Sequence, residues 1–115
     1  MELNKLGGYT MKFDRISRKE EYKLPSFKSH AEAREYFKNI YGHNFQMIDS
    51  QEYSDCKIYF YRLILDMEQY MSCIRELQET NVLVDDGTDT CLAFRFITSY
   101  QSVEIYEDGR IHIVH

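Results

Sequence analysis

The spacing of apolar residues changes along the chain, and each change predicts an element. Residues 9–14, "YTMKFD", alternate: Tyr9, Met11 and Phe13 fall on one side, Thr10, Lys12 and Asp14 on the other. That period of two predicts a half-buried strand. Periodicity then lapses in "RISRKEEYKLPS", where Pro25 pushes Leu24 away from helical geometry. Residues 17–28 read as an exposed, flexible connection. Next comes "SHAE", a capping box in which Ser29 accepts from the Glu32 amide while Glu32 reaches back. Ala33, Tyr36, Phe37, Ile40 and Tyr41 follow at helical spacing, and Gly42 supplies the positive-φ residue that ends the stripe.

"FQMIDSQEYSDCKIYFYRLIL" reads as two strands joined by a turn around Ser54 and Asp55. Asp66 caps a second helix, striped by Met67, Tyr70, Met71, Ile74 and Leu77 and ending near Asn81. After Val82-Leu83-Val84 and the polar loop "DDGTDT", the run "CLAFRFIT" (residues 91–98) predicts a strand. In "SVEIYEDGRIHIVH" a three-residue Glu107-Asp108-Gly109 loop sorts apolar from polar residues. Val103 then faces Ile113, Ile105 faces Ile111, Glu104 meets His112 and Tyr106 meets Arg110, with Gly109 at positive φ.

The predicted order is β-α-β-β-α-β-β-β, an α+β class with an antiparallel sheet and two helices packed on one face. A ferredoxin-like split βαβ core with an added C-terminal hairpin fits this order, and a helix-backed meander is the alternative. The length of 115 residues suits a single domain, with residues 1–28 as strand and flexible connection and 29–115 as the compact body.

"KIYFYRLILD" (residues 57–66) is apolar on both sides, as a central strand is. Ile58, Phe60 and Ile64 are expected under the helices. Tyr59, Tyr61, Leu63 and Leu65 then lie on the open face and need cover, which points to self-association as a homodimer. The residue 1–28 arm is the competing cover.

Composition narrows the chemistry. The chain is 43% apolar and 15% aromatic, and it carries a net charge of −5. That charge is uneven: residues 1–38 sum to +3 and residues 39–115 to −8. Cys56, Cys73 and Cys91 match neither a disulfide framework nor a zinc motif, so packed, reduced thiols in a cytoplasmic protein are expected. No apolar run approaches a membrane span. The sequence holds no phosphate-binding glycine loop, nucleophile elbow or zinc-protease motif. The "DDGTDT" loop lacks the spacing of a calcium site, and neither a cofactor nor a metal is expected. His112 and His115 fall on opposite sides of a strand, and His30 and His43 have no ligand-spaced partner.

The predicted order with strand aromatics resembles RNA-recognition domains, in which Phe94 and Phe96 would share a stacking side. The basic, glycine-containing lead-in of that motif is absent. Nucleic-acid binding therefore rests on Arg15, Arg18, Lys19, Lys23 and Lys28 and is the alternative function. In composition alone, the small acidic body resembles bacterial immunity proteins and phage-encoded inhibitors. The leading expectation is thus a non-enzymatic module that binds another protein through Asp49, Glu52, Asp55, Asp85, Asp86 and Asp89.

Overall fold

A computed structural model describes residues 12–80 and 89–115. The elements run α1 (Arg18–Tyr22), α2 (His30–Tyr41), a 3-10 turn (Gly42–Asn44), β1 (Phe45–Tyr53), β2 (Cys56–Ile64), α3 (Met67–Thr80), α4 (Asp89–Ile97), β3 (Tyr100–Tyr106) and β4 (Ile111–Ile113). The strands form one antiparallel sheet ordered β1-β2-β3-β4, so the class is α+β. Neighbours in sequence are neighbours in the sheet. This is a meander, and the interleaved ferredoxin-like order is not the one the described strands adopt.

Three expected elements come out differently, the first of them described only in part. Of the strand at 9–14, residues 9–11 lie outside the described residues. Lys12 makes a single antiparallel bridge to Asp66, and the Phe13 amide donates to the Leu65 carbonyl at 2.8 Å. Within 17–28 stands a helix, α1. Ser17 and Glu20 form a complete capping box, with Glu20 N–H donating to Ser17 Oγ (3.1 Å) and Ser17 N–H to Glu20 Oε1 (2.8 Å).

The third correction is α4 in place of the strand at 91–98. A short apolar run is ambiguous between the two states until its partners are known. Here α3 supplies them. Tyr70 stacks on Phe96 at 5.4 Å, the Gln69 amide donates to the Arg95 carbonyl at 2.7 Å, and Arg95 pairs with Glu76 at 3.3 Å. Phe94 is left 66% exposed, so it and Phe96 share no strand face, and the resemblance to RNA-recognition domains loses its carrier.

By contact the chain divides into two units, one gathering residues 64–100 with the segment ending at Asp14, the other residues 15–63 and 101–115. In the first, the Asp66 carboxylate caps α3 by accepting from the Gln69 amide at 3.1 Å, as expected. Cys73 is buried there.

In the second unit Ser29 caps α2 through the Glu32 amide (3.2 Å), but the Glu32 carboxylate reaches one residue further back, to the Lys28 amide (2.8 Å). Gly42 ends α2 with φ +57°. Ala33 and Phe37 are buried, whereas Ile40 is exposed. Phe37 stacks on Phe45 at 4.9 Å, and Phe45 on Tyr61 at 4.4 Å. Burial of each such ring is worth roughly 1.5–3 kcal/mol. The β3–β4 register is the expected one, Val103 opposite Ile113, Glu104 opposite His112 and Ile105 opposite Ile111, with Gly109 at φ +96°.

The ring stack inverts the expected facing of β2. Phe45 lies opposite Leu63, so the two share a side, and Phe37 brings α2 onto that side. Tyr61 is 2% exposed and Leu63 fully buried, while Ile58 and Phe60 are only half-buried; of the three residues expected under cover, Ile64 alone is fully buried. In the other unit Leu65 is buried too. Tyr61, Leu63 and Leu65 are therefore covered within one chain, and Tyr59 lies half-buried under an imidazole. The self-association surface expected on these four residues is not free.

A buried amide ties the second unit together. The Gln101 carbonyl oxygen accepts from the Ile16 amide at 2.7 Å, and its NH2 donates to the carbonyls of Ile16 and Val114, each at 3.1 Å. Gln101 is 1% exposed, and these three bonds offset the cost of burying it.

Candidate interaction surface

β1 stands at one end of the sheet order, so one side of its backbone has no strand partner among the described residues. Its pairing with β2 starts regularly at Phe45 opposite Leu63 and slips after Met47, where Ile48 is left out of the register. Such a bulge bends an edge strand and re-aims its side chains. Met47, Ile48 and Tyr53 are consequently 54%, 45% and 51% exposed, although the strand begins with the fully buried Phe45.

Between and beyond these apolar side chains stand Asp49, Glu52 and Asp55, all exposed. The Asp49 carboxylate accepts from the Ser50 amide at 2.8 Å, which occupies one backbone donor of the strand. Bulges and carboxylates of this kind discourage another strand from adding along an edge. What remains for recognition is a set of exposed side chains, apolar at Met47, Ile48 and Tyr53 and acidic at Asp49, Glu52 and Asp55.

The other acidic candidates are not gathered here. Asp49 lies opposite Phe60 and Glu52 opposite Lys57, hence on opposite faces of the strand pair. Asp89 begins α4, in the other unit, and Asp85 and Asp86 lie outside the described residues. Of the six acidic candidates, Asp49, Glu52 and Asp55 stand on the β1–β2 hairpin, and not on one face of it. The basic candidates Arg15, Arg18, Lys19, Lys23 and Lys28 are all exposed, around α1 and the connection after it, with Glu20 and Glu21 among them.

Sequence reasoning missed a cluster around His30. Its Nε2 lies 2.7 Å from the Tyr61 hydroxyl, and its ring stacks on Tyr59 at 3.5 Å and 4°. The Tyr59 hydroxyl donates to Glu107 Oε1 at 2.8 Å, and the His30 amide to the Glu107 carbonyl at 3.1 Å. Burial pulls the imidazole below its ordinary pKa, against the pull of Glu107. Burial raises the Tyr61 phenol, Arg34 opposing, and the hydrogen bond to Glu107 raises that of Tyr59. Each of these shifts favours the neutral form of its side chain, and a buried, protonated phenol such as that of Tyr61 is a poor nucleophile. The cluster pins the start of α2 to the sheet. Thirty-one residues separate His30 from Tyr61, so no local motif signals it.

Burial likewise pushes the Cys73 thiol up. Among the described residues no three His, Cys, Asp or Glu side chains gather where they could hold a metal, and no helix is long and apolar enough to cross a membrane. Comparison with protein-family models, curated proteins and solved structures returns no match.

Proposed function

We propose that the protein is a non-enzymatic binding module, a small inhibitor or regulator that engages a basic partner protein through the β1–β2 hairpin. The observation that carries this reading is the exposure of Met47, Ile48 and Tyr53 together with Asp49, Glu52 and Asp55 along β1 and the turn that follows it. Exposed apolar side chains supply the desolvated centre of an interface, and a rim of carboxylates steers and selects a cationic partner. Burial raises the Tyr61 phenol and the Cys73 thiol, which disfavours their nucleophilic forms and supports a binding reading. The same edge is where a second copy would dock, since Tyr61, Leu63 and Leu65 are buried inside the chain.

Affinity capture from the source cell tests the reading with three immobilised proteins: the wild type, an Ile48→Lys/Asp49→Lys variant, and a Lys38→Glu control on α2. A partner retained by wild type and control but lost from the double variant is expected. Equal retention on all three would remove the hairpin from the function. Light scattering across concentration separates the second copy from a foreign partner.

A further inference from the structure

A cavity of ≈ 530 Å³ opens between α1, the connection that follows it and the tip of the β3–β4 hairpin. That volume falls in the range of small-molecule sites. Its apolar wall is Leu24, Pro25 and Phe27, and Phe27 is fixed from behind by the Tyr36 ring at 5.1 Å. Gly109 closes the hairpin against this wall. A Cβ there would lie 2.3 Å from the Phe27 carbonyl oxygen, so the close approach requires glycine.

The polar wall carries two guanidiniums. Arg18, exposed on α1, has no ion pair among the described residues. Arg110 is held in place on both sides, over the Tyr106 ring at 4.4 Å and by Asp108, whose carboxylate accepts from its Nε at 2.9 Å. Its terminal amino groups keep their donors, having no hydrogen bond to a described residue. Glu21 also lines the cavity, but its carboxylate accepts from His115 Nε2 at 2.7 Å and from the Ile113 amide at 3.4 Å. Asp108 balances Arg110 and His115 holds the Glu21 carboxylate, which leaves Arg18 as the cation of the lining with no ion pair among the described residues. At the rim Tyr22 is 90% exposed, a large ring left in water beside an apolar wall.

We propose that this cavity binds a small aromatic oxyanion, its ring against Phe27, Leu24 and Pro25 and its carboxylate or phosphate on the Arg18 and Arg110 guanidiniums. The planar donor fork of arginine matches both headgroups. Tyr22 gains cover when the ring is bound, so the ligand removes apolar surface from water on two sides. The site is independent of the β1–β2 hairpin.

Calorimetric titration with phenylacetate, phenyl phosphate and neutral benzyl alcohol tests the proposal. Probes of this size are expected to bind at about millimolar Kd with one site per chain. The preferred anion identifies the headgroup, carboxylate or phosphate. Arg18→Ala, on an exposed helix face, is expected to weaken that anion at least about tenfold, with an unchanged circular dichroism spectrum. Arg110→Lys, which keeps the charge but loses the fork, is expected to weaken it less. Equal binding of benzyl alcohol and the anions would overturn the proposal. So would saturable anion binding unaffected by Arg18→Ala, absence of saturation by either anion, or tight binding of a thymidine oligonucleotide without binding of either small anion, which would mark a polyanion surface instead.

Discussion

The sheet contains two hairpins built from similar residues and put to opposite ends. β3–β4 keeps an unbroken register, buries Val103, Ile105 and Ile113, and seats its glycine tip against the Phe27 backbone. β1–β2 begins as well packed, with Phe45 and Leu63 fully buried, then slips at Ile48 and runs on with its apolar side chains in water. Both have alternating strands and polar turns. The difference is what lies against them. One hairpin is fastened at its tip by the chain that precedes α2, while β1 beyond Met47 has its side chains in water. Packing, and not intrinsic strand preference, separates the fastened hairpin from the one left in water.

Breaking the fastened hairpin has the largest expected effect. Gly109→Ala places a methyl group inside van der Waals distance of backbone atoms at a left-handed φ, so a loss of roughly 3–5 kcal/mol is expected. Urea denaturation measures it, and a loss under 1 kcal/mol would mean that the hairpin tip is not packed as described. Gln101→Leu follows. It leaves the Ile16 amide and the carbonyls of Ile16 and Val114 without their partner, at a cost of about 2–3 kcal/mol.

A subtler probe is pH. The folded-state pKa of His30 is depressed below its unfolded value of 6.5, because burial disfavours the imidazolium. Its contribution is complete above the unfolded value and is lost as pH falls through the folded one. The urea midpoint should therefore drop between about pH 7 and pH 5. His30→Gln, which does not titrate, should flatten that drop; an unaltered slope would place the titrating group elsewhere. The smallest effect is expected on the free hairpin. Met47→Lys and Ile48→Lys should each change stability by no more than about 0.5 kcal/mol while abolishing partner capture. A large destabilisation would show that this edge is covered, and the contrast between the hairpins would fail.

Legibility followed the same line. Wherever the deciding interactions span three or four residues, the chain announces its structure: Ser29 and Asp66 cap helices, and the Glu107-Asp108-Gly109 loop sets the β3–β4 register. The Ser17/Glu20 capping box was equally readable, since Ser17-Arg-Lys-Glu20 has the same spacing as Ser29-His-Ala-Glu32; the charge run around it suggests a loop. Residues 91–98 were not readable, because an apolar run of that length satisfies either period until α3 offers Tyr70 and Gln69 to one of them.

The amino-acid sequence by itself determined the class, the caps and the turn chemistry, because hydrogen-bond geometry and φ preferences act locally. Only the tertiary structure decided which face of β2 is sealed, where β1 slips out of register, and that His30 meets Tyr61 and Ile16 meets Gln101. Those outcomes depend on partners 31 and 85 residues away. At such distances the winning contact is set by the total apolar surface removed from water and the polar groups left satisfied, a sum that no single stretch of sequence contains.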